Sequence, residues 1–169
     1  QTCALPICEI LGFMLPIMQI EPEAQLQFLT AWIAFNSAQL HLCRDICDSI
    51  EIANADVLGL MGQAQLEMGD LANALESLSI SCRLAPKNPF HHFQLLKTQF
   101  SLRQFQDCRA TISTLESIRP RDLEVALYRG LVCLECDGDR SDASESIAYL
   151  RVHIERLTGE ARSEEHTSE

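Results

Sequence analysis

The chain has 169 residues, of which 47% are hydrophobic, and a formal charge of −11. An acidic balance of this size repels phosphate backbones and anionic lipid, since binding either relies on clustered Lys and Arg, so nucleic acid and membrane surfaces are excluded as partners. The longest apolar run, ILGFMLPIMQI, is broken by Pro16 and falls short of the roughly 20 residues that a membrane span needs.

The two ends lack the pattern of the middle. Gln1 to Ile7 back-translates as CAG ACG TGT GCT CTT CCG ATC, whose reverse complement lies entire inside AGA TCG GAA GAG CAC ACG TCT GAA, an encoding of Arg162 to Glu169. Both strings resemble the ligation adapter of a short-read sequencing library, one copy facing inward from each side. Residues 1–7 and 162–169 are therefore read as adapter-derived and set aside from fold reasoning. The chain is then expected to be an insert cut from a longer protein. Without the tail, which carries one Arg and three Glu, the charge is −9.

Residues 8–22 hold the apolar run and end in IEP, as the second helix of an upstream helix pair would. Residues 23–54 carry two apolar stripes at helical spacing, Leu26 to Ile33 and Leu42 to Ile52, separated by FNSAQ. Residues 55–88 are more regular: Leu58, Met61, Gly62 and Gln65 make one stripe, and Leu71, Ala74, Leu75, Leu78 and Ser81 a second. Gly69-Asp70 turns the chain between them and Pro86 closes the unit. Pro120 follows Pro86 at a spacing of about 34 residues, enough for one helix pair and its turns. Between them, residues 89–122 repeat the pattern through Leu95, Leu96, Phe100, Phe105, Cys108, Ile112 and Leu115. Residues 123–161 begin a third unit with Gly130, which follows Gly62 at twice that spacing. One residue is inserted in its turn, CDGDRSD, before Ala143, Ile147 and Leu150 resume the second helix. The last stretch, SESIAYLRVHIERL, keeps an apolar stripe through Ile154 and Leu157, so the array is expected to continue.

This pattern resembles the tetratricopeptide repeat, with Gly62 and Ala74 in the slots where that family places small residues and Pro86 at its terminal proline. The resemblance implies an all-α fold, a right-handed α-solenoid of about three to four antiparallel helix pairs. Residues 23–54 are expected to form a divergent repeat without the small-residue signature, and 8–22 a truncated helix of a preceding one. Such pairs bury their apolar faces only by stacking on one another.

The resemblance also implies that the first helix of each pair lines a concave groove. Its slots would be Asp56, Gly59, Gln63, Leu66 and Glu67, then Phe90, Phe93, Lys97, Phe100 and Ser101, then Glu124, Leu127, Leu131, Leu134 and Glu135. Relatives that clamp acidic chaperone tails carry Lys and Asn in the second and third slots. Here Gly59 and Gln63, Phe93 and Lys97, and Leu127 and Leu131 stand there, so that clamp is absent apart from Lys97. Gln63, Leu66, Phe90, Phe93, Lys97, Phe100, Leu127, Leu131 and Leu134 remain as the candidate partner-binding residues. They make an apolar strip with acid at its edges, suited to an apolar peptide or helix with basic flanks. The competing reading is that the phenylalanines fill space between helices.

No motif points to catalysis or a cofactor. Cys133-Leu-Glu-Cys136 has the spacing of a metal half-site but lacks a second half. Asp137-Gly-Asp139-Arg-Ser141-Asp142 starts like a calcium loop, yet Asp142 and Ala148 stand where its glycine and bidentate glutamate belong. His91-His92 is read as a surface pair at a helix start. Seven cysteines outside the adapter, an odd number, argue for reduced thiols and a cytoplasmic setting. The chain is thus expected to be a non-enzymatic module that binds another protein or peptide. Two rival readings are a non-catalytic region of a larger enzyme, such as a glycosyltransferase or sulfotransferase, and a small secretion-chaperone-like protein.

Overall fold

A computed structural model of the chain describes residues 22–51, 54–136 and 143–153. The adapter-like ends, residues 8–21 of the expected truncated helix, the inserted turn and the Ile154–Leu157 end of the last stripe lie outside these residues. All described elements are helices: α1 (Pro22–Asn36), α2 (Leu40–Ser49), α3 (Ala55–Glu67), α4 (Leu71–Leu84), α5 (Pro89–Ser101), α6 (Phe105–Ile118), α7 (Leu123–Cys136) and α8 (143–153). No strand occurs among the described residues. The chain divides into two compact units, Gln1–Leu95 and Leu96–Glu169, the division falling within α5.

The same local chemistry starts α3, α5 and α7. Asn54 Oδ1 accepts from the backbone N–H of Asp56 at 2.7 Å, Asn88 Oδ1 from that of Phe90 at 3.1 Å, and Asp122 Oδ1 from that of Glu124 at 2.9 Å. These caps recur at the Pro86-to-Pro120 interval and satisfy donors that the first helical turn would otherwise leave open.

A shared turn also ends α1, α3 and α5. Gln39, Asp70 and Gln104 donate their backbone N–H back to Ala34, Gln65 and Gln99 at 2.9 Å, which closes the helix with a left-handed residue at Ala38, Gly69 and Arg103. Gly69 takes its φ of 80° without penalty, whereas Ala38 and Arg103 hold φ 58° with a Cβ in place.

Aligning on these turns corrects one expectation. Ala38 lies closer in sequence to Gly69 than Gly69 does to Arg103, and in that tighter register Ala31 occupies the slot of Gly62 and Cys43 the slot of Ala74. Ala31 and Cys43 are both fully buried, so the first pair does carry small residues in these slots. The shorter α2, 10 residues against 14 in α4 and in α6, moves them out of the register that the later pairs keep.

In the first unit, α1, α2 and α3 pack Phe28, Ala31 and Ala34 against Cys43, Cys47, Ile50, Val57, Leu60 and Ala64. The pairing of α3 with α4 is closer still, since a Cβ on Gly62 would sit 2.6 Å from Leu78 Cγ. Ser81, fully buried on α4, donates its hydroxyl to the Ala55 carbonyl at 2.7 Å. In the second unit Leu96, Cys108, Ile112 and Leu115 are buried on α5 and α6, and Val125, Val132, Cys133, Ala143 and Ser146 on α7 and α8.

Candidate functional site

The first helix of each pair was expected to carry the partner-binding residues, and the structure places them differently in its two units. In the first unit Gln63 is half-buried on α3. Leu66 packs on Ala74, Leu78, Cys82 and Leu95. Phe90 is half-buried, its ring edge-on to His91 at 5.8 Å, while Phe93 is only 6% exposed.

His91 and His92 are buried, contrary to the expected surface pair. The reason lies on α3, where Gly59 lacks a side chain: a Cβ there would come within 2.5 Å of His91 Nδ1 and Cε1. The imidazole fills that vacated space. Its Nε2 lies 2.9 Å from Asn88 Nδ2 and 3.3 Å from Asp56 Oδ1, and its Nδ1 is buried with no hydrogen-bond partner. His92 donates through Nε2 to the Pro86 carbonyl at 3.0 Å.

In the second unit the candidates lie on an open face. Leu127, Leu131 and Leu134 follow one another at helical spacing along α7 and are 45%, 36% and 54% exposed. An ion pair stands at each end of this strip. Lys97 Nζ meets Glu124 Oε1 at 2.9 Å, and Arg103 meets Glu135 Oε2 at 2.8 Å. Both carboxylates belong to α7, about 16 Å apart along the helix. Phe100 stands edge-on to both Phe105, at 5.8 Å, and Tyr128, at 5.5 Å, and the Arg103 guanidinium lies 5.4 Å from the Phe105 ring centre. Burial pushes the Tyr128 hydroxyl pKa above its ordinary value, with Glu124 adding to the shift and Lys97 opposing it.

Arg103, Tyr128 and Trp32 were not among the residues singled out from sequence. Arg103 carries the signal of standing one repeat after Gly69, in a turn where its side chain must point outward. Trp32 occupies the register of Gln63, Lys97 and Leu131 once the tighter spacing of the first pair is used, and it too is half-buried.

The remaining polar features do structural work. A cleft among α6, α7 and α8 is lined by Glu116, Asp122, Arg129, Glu145 and Tyr149, but the Arg129 guanidinium is already held by Ser146 at 3.1 Å, Glu116 at 3.4 Å and Glu145 at 3.7 Å. Among the described residues no three His, Cys, Asp or Glu side chains gather to hold a metal. The buried thiols Cys47 and Cys82 are poor nucleophiles. Hydrogen bonding to Cys43 raises the Cys47 pKa, and burial pushes Cys82 up to about 12. The bond from Cys47 lowers the Cys43 pKa, but that sulfur is fully buried. Cys133 is buried in α7. No helix among the described residues is long and apolar enough to cross a membrane.

Neither a protein-family profile nor a curated protein sequence matches the chain. Solved structures do. YrrB, described as a TPR protein with an unusual peptide-binding site, superposes with a TM-score of 0.70 at 12% identity, over 79% of this chain and 74% of its own. MamA gives 0.68 at 12% identity, over 87% and 86%, and the TPR domain of Arabidopsis OM64 gives 0.63 at 12%, over 67% and 96%. The fold is that of the tetratricopeptide repeat. Its TPR character rests here on sequential antiparallel helix pairs, the regular recurrence of caps and turns, and the small residues at the helix crossings.

Proposed function

We propose that this TPR chain is a non-catalytic interaction module that holds a peptide or helix of another protein on the first helices of its pairs. The observation that carries this reading is the register shared by Trp32, Gln63, Lys97 and Leu131. One such residue stands on each first helix and all four keep part of their surface open to solvent, although in the three later pairs the residues on either side of it are buried. Within each unit, a side chain left accessible at the same place in successive pairs is what a partner reads. The peptide-binding site in the description of YrrB supports the same use of the fold.

The occupant is an apolar segment with basic flanks. Leu127, Leu131 and Leu134 supply apolar contact. Glu124 and Glu135 each keep carboxylate lone pairs beyond those used by Lys97 and Arg103, so a partner's Lys or Arg can share them.

Selection of a random peptide library on the purified chain tests this reading. The expected result is a set of apolar, Lys- or Arg-flanked peptides whose affinity falls at least tenfold with Leu131→Asp and is unchanged by Ser113→Asp on the exposed side of α6, with the same melting temperature in both variants. Peptides that bind the Leu131→Asp chain as well as the native one, or no enrichment at all, would overturn it.

A further inference from the structure

The first helix carries an apolar face that its counterparts bury. Leu26 and Ile33 on α1 are 66% and 59% exposed. Aligned on the helix-ending turns, their registers hold Val57 and Ala64 on α3, at 3% and 0% exposed, and His91 and Thr98 on α5, at 2% and 0%. Aligned on the N-caps, they hold Val125 and Val132 on α7, at 1% and 0%. Every counterpart is thus out of solvent where Leu26 and Ile33 are in it. On α3 the cover is visible: Val57 and Ala64 pack with Cys43, Cys47 and Ile50 from α2 and its end, the helix that precedes α3 in the chain.

We propose that the Leu26–Ile33 face of α1 is the docking surface for the chain's own residues 8–20, CEILGFMLPIMQI. Three arguments choose this occupant. Its composition is mostly apolar, which matches the side chains left uncovered. It joins α1 through a single intervening residue and Pro22, so it meets the face at the high effective concentration of a short tether. A stretch of this length reaches about 20 Å even as a helix, against about 10 Å between Leu26 and Ile33 along α1. The α2–α3 contact supplies the precedent within the same unit, since there the covering side chains also come from the stretch immediately upstream.

Photo-crosslinking on the full chain tests the proposal, with benzoylphenylalanine placed at position 26 or 33 and the adducts mapped by peptide mass spectrometry. The expected product is an intrachain link to residues 8–20 in a species of monomer mass. In parallel, Leu26→Cys and Ile33→Cys should react with a maleimide at least tenfold more slowly than Asp48→Cys, an exposed position on α2, at every protein concentration. A dimer-mass adduct, with protection that grows with concentration, would overturn the proposal in favour of a second copy on this face. Labelling as fast as at Asp48→Cys, with no adduct to 8–20, would overturn it outright.

Discussion

Ser77 donates its hydroxyl to the side-chain carbonyl of Gln65 at 2.9 Å in the interior of the α3–α4 pair, and Thr111 does the same to Gln99 at 2.8 Å in the α5–α6 pair. The two bonds occupy the same place in successive repeats and join the two helices of a pair at the same height. A buried carbonyl that loses its donor costs about 1–3 kcal/mol, whereas removing both partners together costs far less. Ser77→Ala is expected to lower unfolding stability by that amount in a urea titration, and adding Gln65→Met should restore most of the loss. A cost below about 0.5 kcal/mol for the single change would mean that the bond adds nothing net.

Gly59 and His91 form a lock of a different kind. A methyl group at residue 59 collides with the imidazole at 2.5 Å, and the collision is with a ring wedged between helices rather than with a free side-chain end. Overpacking of this sort costs about 1–3 kcal/mol. Gly59→Ala should therefore destabilise the chain, and His91→Val, which installs the valine that residues 57 and 125 carry in the same register, should relieve it. The double-mutant cycle is the measurement. Additive costs would show that the two positions do not meet.

Cys82 ties stability to alkaline pH. Burial raises its pKa from the ordinary value of 9.0 to about 12, so the folded state keeps the thiol proton over a range in which the unfolded state releases it. The contribution to stability is complete below pH 9 and is lost as pH rises through about 12. Cys82→Ala should flatten the alkaline limb of the stability curve between these limits relative to the native chain. Parallel curves would show that Cys82 titrates alike in both states.

The left-handed turn residues predict a gain and a loss. Ala38 holds φ 58° on the surface, so Ala38→Gly should stabilise by about 0.5–1 kcal/mol by removing the steric penalty. Gly69→Ala should cost about 1 kcal/mol although no atom within 4 Å opposes the new methyl group, because the penalty lies in the backbone at φ 80°. Paired melting curves of the two variants, moving in opposite directions, check both.

The fold was legible because a few residues repeat without ambiguity. Pro86 and Pro120 set the period, and Gly62 and Ala74 carried the family resemblance. The first pair was harder to read: its small residues are Ala31 and Cys43, displaced from the period of the later pairs, and only the hydrogen bond from Gln39 to Ala34 restores the register. Burial of His91 was not legible at all. A histidine at a helix start has a surface prior, and the space that admits it is the missing side chain of Gly59, on another helix and nearly a whole repeat upstream. The candidate strip was readable on α7, where a regular leucine spacing meets exposure. It was less so at Phe93, where the same register turns inward.

The bonds that hold the helices together join positions near one another in the chain. Gln65 and Ser77 stand 12 apart, Ala55 and Ser81 stand 26 apart, and Arg103 and Glu135 stand 32 apart. The Asp56–His91 pair spans little more than one repeat. Each closes over a loop small enough to form as soon as its second partner is made. A chain leaving the ribosome N-terminus first can therefore make each of these contacts within about one repeat of synthesis. Folding becomes a process of addition at one end, timed by translation.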